Sequence, residues 1–168
     1  DLASWLRLLR SRRVGPATFH RLMSEHGSAE AALDALPGVA RDAGVEDYEI
    51  CPVGVIEAEL RAGKAAGARL MSCLDADYPP FLKQISDAPP LLWYIGTPDI
   101  LRRPMIGLVG ARNASSLGTR MAKSLATDLA AGGFVITSGL ARGVDTAAHL
   151  ASLEGGTVAV MAGGVDVI

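Results

Sequence analysis

The sequence predicts an α/β protein, with a small all-helical front over residues 1–66 and a parallel-sheet region over residues 67–168. Three observations carry this. Met105–Gly118 (MIGLVGARNASSLG) and Phe134–Asp145 (FVITSGLARGVD) each open with a short apolar, β-rich run that empties into a turn containing Gly and Ser. Each turn is followed by a segment of helical period, Thr119–Ala131 and then Val144–Leu153, and a third apolar run, Thr157–Ala162, ends in Gly163-Gly164. Strand, glycine turn and helix repeated in register is the pattern of a parallel βαβαβ sheet. The first 66 residues, by contrast, read only as short helices.

From the front, Leu2–Leu9 has apolar residues at 2, 5, 6, 8 and 9, which fits one helix face. It stops at Arg12-Arg13-Val14-Gly15-Pro16, where Gly15 suits a turn and Pro16 the first position of a helix over Ala17–Glu25. Gly27 suits a C-terminal cap. Ser28 suits the N-cap of a helix over Ala29–Leu36, which Pro37-Gly38 is expected to end. A further helix centred on Val53–Lys64 offers Val55, Ile56, Leu60, Ala65 and Ala66 as core. Short helices joined by a Val-Gly-Pro turn resemble helix-hairpin-helix and sterile-alpha-motif-like modules, and a bundle that serves packing alone fits equally well. A boundary near Ala66–Arg69 leads into a first strand, Ala68–Cys73.

Asp75–Pro104 holds six of the nine prolines. They exclude a central strand or a long helix there. Leu91–Ile95 reads as a strand and Phe81–Ile85 as a short helical turn, in a connector expected to lie over the sheet. Trp93 and Tyr94 read as core or lid packing ahead of a base-stacking platform.

Composition bounds the function. About half the residues are hydrophobic and a fifth charged, a profile able to bury a core. No apolar run approaches the ~20 residues of a membrane span, and the start is no secretory signal. With Asp at position 1, the start is expected to be trimmed. Cys51 and Cys73 match no metal spacing and read as reduced cytosolic thiols. Net charge is −2, so no global basic field announces nucleic acid. Local charge says more: Arg7, Arg10, Arg12 and Arg13 crowd the front, either as a contact surface or as a solvated helix end, and the sheet turns carry Arg112 and Arg142.

In parallel sheets ligands sit at the carboxyl ends of the strands, against turns and helix N-termini. Such turns present unpaired amides and a partial positive charge, and glycine lets a phosphate approach the backbone. Gly110 is expected to allow that approach at the first turn, with Ser115 or Ser116 capping the following helix. Ser138, Gly139 and Gly143 repeat the device at the second. Arg112 adds a planar, always-charged fork suited to phosphate oxygens, and a salt bridge at the rim would use it too. The turn lacks the third glycine of GxGxxG and there is no GxxxxGK[ST], so dinucleotide and P-loop readings are poor and no cofactor is expected. Asp145 and His149, four residues apart, could form a proton-transfer pair or a helix-stabilising contact. No catalytic residue and no metal cluster is indicated.

Together, IGLVGARNASSLG, VITSGLARGVDTAAH and GTVAVMAGGVDVI resemble the DNA-processing protein A (DprA/Smf) family. DADYPPFLKQISDAPPLLWYIG resembles that family's connector. The match covers residues 68–168 closely, and the helical front agrees with the family's small N-terminal domain. Departures are Ala111 where Ser is common, Leu117 for Tyr and Val144 for Ile. The resemblance implies an extended Rossmann-like fold, usually dimeric, in a cytoplasmic, non-enzymatic protein. It implies binding of single-stranded DNA and loading of the recombinase RecA during natural transformation. The family's phosphate-contacting turn residues fall on Gly110, Ala111, Arg112 and Ser115, and on Ser138, Gly139, Leu140, Arg142 and Gly143. The family's Tyr-Pro, Arg-Asn-Arg and later glycine motifs are not reached before Ile168, so much of its basic groove and dimer surface is expected beyond that point. The alternative, a Rossmann-like phosphoribohydrolase of the lysine-decarboxylase-like group, would need a PGGxGTxxE segment that these residues do not contain.

Overall fold

Caps and burial explain the front helices. In the computed structural model, which describes residues 1–166, they are α1 (Leu2–Arg10), α2 (Pro16–His26), α3 (Ala29–Asp42) and α4 (Val53–Ala65). Asp1 accepts from the Ala3 amide at 3.0 Å, and Ser28 accepts from the Ala31 amide at 3.1 Å. Each satisfies an amide the helix itself leaves open. Pro16 opens α2, where a missing N–H loses nothing. Leu8, Phe19, Leu22, Leu33 and Leu36 close one core.

Two expectations fail here. α3 does not end at Pro37-Gly38 but runs on to Asp42 with Pro37 inside it. Proline removes one helical hydrogen bond, yet Val39 packs on the core and Ala40 is buried, so burial beyond the proline outweighs that loss. In α4, Ile56 is buried and Leu60 partly so, whereas Val55 and Ala65 are exposed, because only one stripe of the helix meets the core.

β1 (Arg69–Ser72) pairs antiparallel with β2 (Leu91–Tyr94), placing Leu70 opposite Trp93. The expected first strand is therefore half of a separate two-stranded sheet. Leu70, Leu91 and Trp93 pack with buried Leu6, Cys51 and Ile56. The compact units accordingly divide after Ile95, whereas the sequence suggests a boundary at 66/67. A β-carbon on Gly63 would stand 2.5 Å from the Trp93 ring, and the indole N–H donates to Glu59 at 2.9 Å. Trp93 is a packing residue. The connector as far as Ile95 packs within this first unit: Tyr78 is buried, its hydroxyl donates to the Pro89 carbonyl at 2.7 Å, and burial pushes its phenol up to about 12.

From Gly96 a second unit holds β3 (Met105–Gly107), α5 (Ser116–Ala131), β4 (Val135–Ser138), α6 (Val144–Ser152) and β5 (Thr157–Ala159). The strands are all parallel in the order β3-β4-β5, with Ile136 opposite Ile106 and Thr157. This is the Rossmann-like βαβαβ arrangement. Ala126, Ile136 and Ala148 are fully buried together, and the small alanines let α5 and α6 lie close on each other and on β4. Among the described residues no helix is long and apolar enough to cross a membrane.

Candidate functional site

Parallel strands deliver their carboxyl ends to one edge, so the turns after β3, β4 and β5 meet. The first two are sealed by backbone contact. Gly143 has φ +90°, a region open to glycine and strained for other residues, and a β-carbon there would collide with the carbonyl oxygens of Ala111 and Arg112. The Val144 amide donates to the Ala111 carbonyl at 3.3 Å. A β-carbon on Gly110 would come within 2.5 Å of the Val144 side chain. The absent side chain at Gly110 thus admits Val144, where the sequence suggested room for a phosphate.

Ser138 is buried and its hydroxyl donates to the Leu108 carbonyl at 2.6 Å. Its carbonyl accepts from the Val160 amide at 2.8 Å, so Ser138 ties three turns together and turns its side chain inward. Ser115 is exposed and caps α5, accepting from the Gly118 amide at 3.1 Å while its own proton stays available.

Arg112 and Arg142 are exposed, and among the described residues neither has an ion-pair or hydrogen-bond partner. Both line an open cavity of about 650 Å³ with Gly139, Leu140 and Asp145. The amides of Arg112, Leu140 and Arg142 likewise donate to nothing within the described chain. Two fixed cations and open amides around one basin suit an oxyanion. The basin also includes Val160–Ala162, which the sequence reading assigns to a third strand. The ladder ends at Ala159, and the Gly163-Gly164 pair just beyond was the signal that a turn begins here.

Asp145 and His149 are both buried on α6. Each reaches the second turn: Asp145 Oδ2 accepts from the Ala141 amide at 3.4 Å, and His149 Nε2 lies 2.6 Å from the Gly139 carbonyl.

The front arginines are placed otherwise. Arg7 donates to the Cys51 carbonyl at 2.8 Å, and Arg10 grips Glu59 through two bonds of 2.8 and 2.7 Å. The hydrogen bond between Arg10 and Glu59 raises the one's pKa and lowers the other's. Arg12 sits over the Tyr48 ring at 5.7 Å, and Tyr48 donates to its carbonyl. Arg13 is exposed, with φ +64°.

Residues 69–168 match the family model described as DNA recombination-mediator protein A, and residues 1–62 match a DprA-like N-terminal HHH domain. DNA processing protein DprA of Streptococcus pneumoniae is 45% identical over 98 residues, covering 57% of this chain and 34% of that protein. Protein Smf of Synechocystis is 31% identical over an alignment of 183 residues, covering all of this chain and 46% of that protein. The X-ray structure of S. pneumoniae DprA superposes with a TM-score of 0.69 at 30% identity, covering 98% of this chain and 59% of that one. The chain therefore spans between a third and a half of the length of these two curated relatives.

Proposed function

Because the chain belongs to the DNA recombination-mediator protein A family, whose members are DNA-processing proteins, we propose that it binds single-stranded DNA without regard to sequence. The contacts are to sugar-phosphate, at the two βα turns, and no bond of the strand is made or broken. We further propose that the whole protein is a cytoplasmic homodimer that loads RecA on the strand it holds. One observation carries the binding reading: Arg112 and Arg142, exposed and unpaired among the described residues, flank a basin lined by open turn amides. Phosphate contacts supply affinity and no direct sequence information. The proposed contact set is Ala111, Arg112 and Ser115 with Gly139, Leu140, Arg142 and Gly143, while Gly110, packed on Val144, and Ser138 hold these turns from beneath.

The test is the affinity of the full-length protein for single strands of different base composition, with Arg112→Ala beside the wild type. Charge-assisted hydrogen bonds contribute roughly 1.5–3 kcal/mol, so the substitution is expected to weaken binding about tenfold to a hundredfold on every strand. An unchanged affinity would remove Arg112 from the contact. Release of free base from a nucleoside monophosphate would instead support a nucleotide-processing enzyme.

A further inference from the structure

We propose that Thr157 and His149 form a hydrogen-bonded relay that positions the second turn for the phosphates of a bound strand, a role that rests on the binding reading above. His149 is 8% exposed, and both of its ring nitrogens are engaged. Nε2 lies 2.6 Å from the Gly139 carbonyl, and Nδ1 lies 2.6 Å from the Thr157 hydroxyl oxygen, which also stands 2.9 Å from the Ile136 carbonyl. A carbonyl only accepts, so Nε2 carries a proton and donates it to Gly139. With one proton to give, the Thr157 hydroxyl donates to Nδ1 of a neutral ring, or donates to the Ile136 carbonyl and accepts from a protonated Nδ1, and either arrangement fixes the ring from its other side. A buried ring held at both nitrogens has one orientation, and it passes that orientation to the Gly139 peptide.

One helical turn earlier, Asp145 accepts from the Ala141 amide, a longer contact at 3.4 Å. Two side chains of α6 therefore hold the turn on either side of Leu140, whose amide is open and whose side chain is exposed beside the basin. The Gly-Leu-Ala-Arg turn is thus set by α6 and β5 rather than by its own residues. This also answers the spacing of Asp145 and His149: neither ring nitrogen is left to shuttle a proton, and each side chain instead fixes a peptide group. His149 is a positioning residue.

The experiment pairs Thr157→Val, which keeps the shape and deletes the hydroxyl, with Thr157→Ser, which keeps the hydroxyl, in the full-length protein. Single-strand affinity and the backbone amide NMR signals of Leu140 and Arg142 are read for each. The valine variant is expected to bind about threefold to tenfold more weakly, the worth of one hydrogen bond, and to shift both amide signals. The serine variant is expected to restore affinity and signals. A valine variant matching the wild type overturns the relay, and so does a serine variant as weak as valine, since a hydroxyl at this position would then not suffice to set the turn. Should the valine variant fail to fold, the wild-type ring decides: the His149 Nε2 proton is expected to exchange slowly with water, and rapid exchange overturns the proposal. If the wild type binds no single strand, the binding reading falls, while the amide signals still show whether Thr157 sets the turn.

Discussion

The front of the chain and the strand ends of the sheet carry the same residue, arginine, and the two regions use it differently. At the front, Arg7 is held by the Cys51 carbonyl, Arg10 by Glu59 and Arg12 by the Tyr48 ring. At the strand ends, Arg112 and Arg142 meet no partner among the described residues and face an open basin. A guanidinium engaged by its own chain stabilises that chain. One left exposed beside open amides is available to an anion. A count of positive charges along the sequence cannot separate the two cases, because the difference lies in which carboxylate, carbonyl or ring the fold brings alongside.

The sharpest break in this comparison is a side chain at Gly143. Gly143→Ala places a β-carbon at φ +90° and drives it into the Ala111 and Arg112 carbonyls. Backbone strain and overpacking each cost roughly 1–3 kcal/mol, so a loss of about 2–6 kcal/mol is expected in urea unfolding, together with loss of binding at both turns. A loss below about 1 kcal/mol would mean that the turns are not sealed as described.

The structural use of arginine is expected to give a smaller effect. Glu59 accepts from Arg10 and from the Trp93 indole, with side chains 45% exposed for Arg10 and 25% for Glu59. Solvent screening at that exposure reduces the contribution to about 1 kcal/mol, which Glu59→Gln should remove at pH 7. Hydrogen bonding to Arg10 lowers the Glu59 pKa in the folded protein. Its stabilisation is therefore complete above the unfolded value, about 4.3, and is lost as pH falls through the folded value. The gap between wild type and variant in urea stability should close in that acid range. A gap independent of pH would show that the carboxylate's charge is not what holds Arg10. DNA affinity is expected to stay unchanged.

Much of this was legible in the sequence. Period and glycine placement located the three parallel strands, both sheet helices and the Gly27 and Ser28 caps, and narrowed the cap of the first sheet helix to Ser115 or Ser116, of which Ser115 is the cap. Packing was the reading placed ahead of base stacking for Trp93, and the ring packs with Leu6, Cys51 and Ile56. What failed depended on contacts between distant residues. Pro37 looked like a stop because proline weakens a helix locally, and the burial of Val39 and Ala40 that overrides it is a tertiary fact. Ala68–Cys73 was legible as a strand, but its partner was not, since antiparallel pairing with β2 depends on Leu70, Leu91 and Trp93 sharing a core with Leu6 and Ile56. Gly110 and Ser138 were read by residue type as groups that could face a phosphate. Their neighbours, Val144 and the Leu108 carbonyl, give them packing and bracing roles that no local pattern discloses.

The most direct test measures single-strand affinity against salt for the wild type, for Arg112→Ala with Arg142→Ala, and for Arg12→Ala with Arg13→Ala. On single strands the logarithm of affinity falls with the logarithm of salt by about 0.7 for each phosphate neutralised, so removing the two turn arginines should flatten the slope by about 1.4 and weaken binding throughout. The front pair should leave slope and affinity at the wild-type values. A turn variant with the wild-type slope, or a front variant with a flattened one, would contradict the assignment of phosphate binding to the sheet turns.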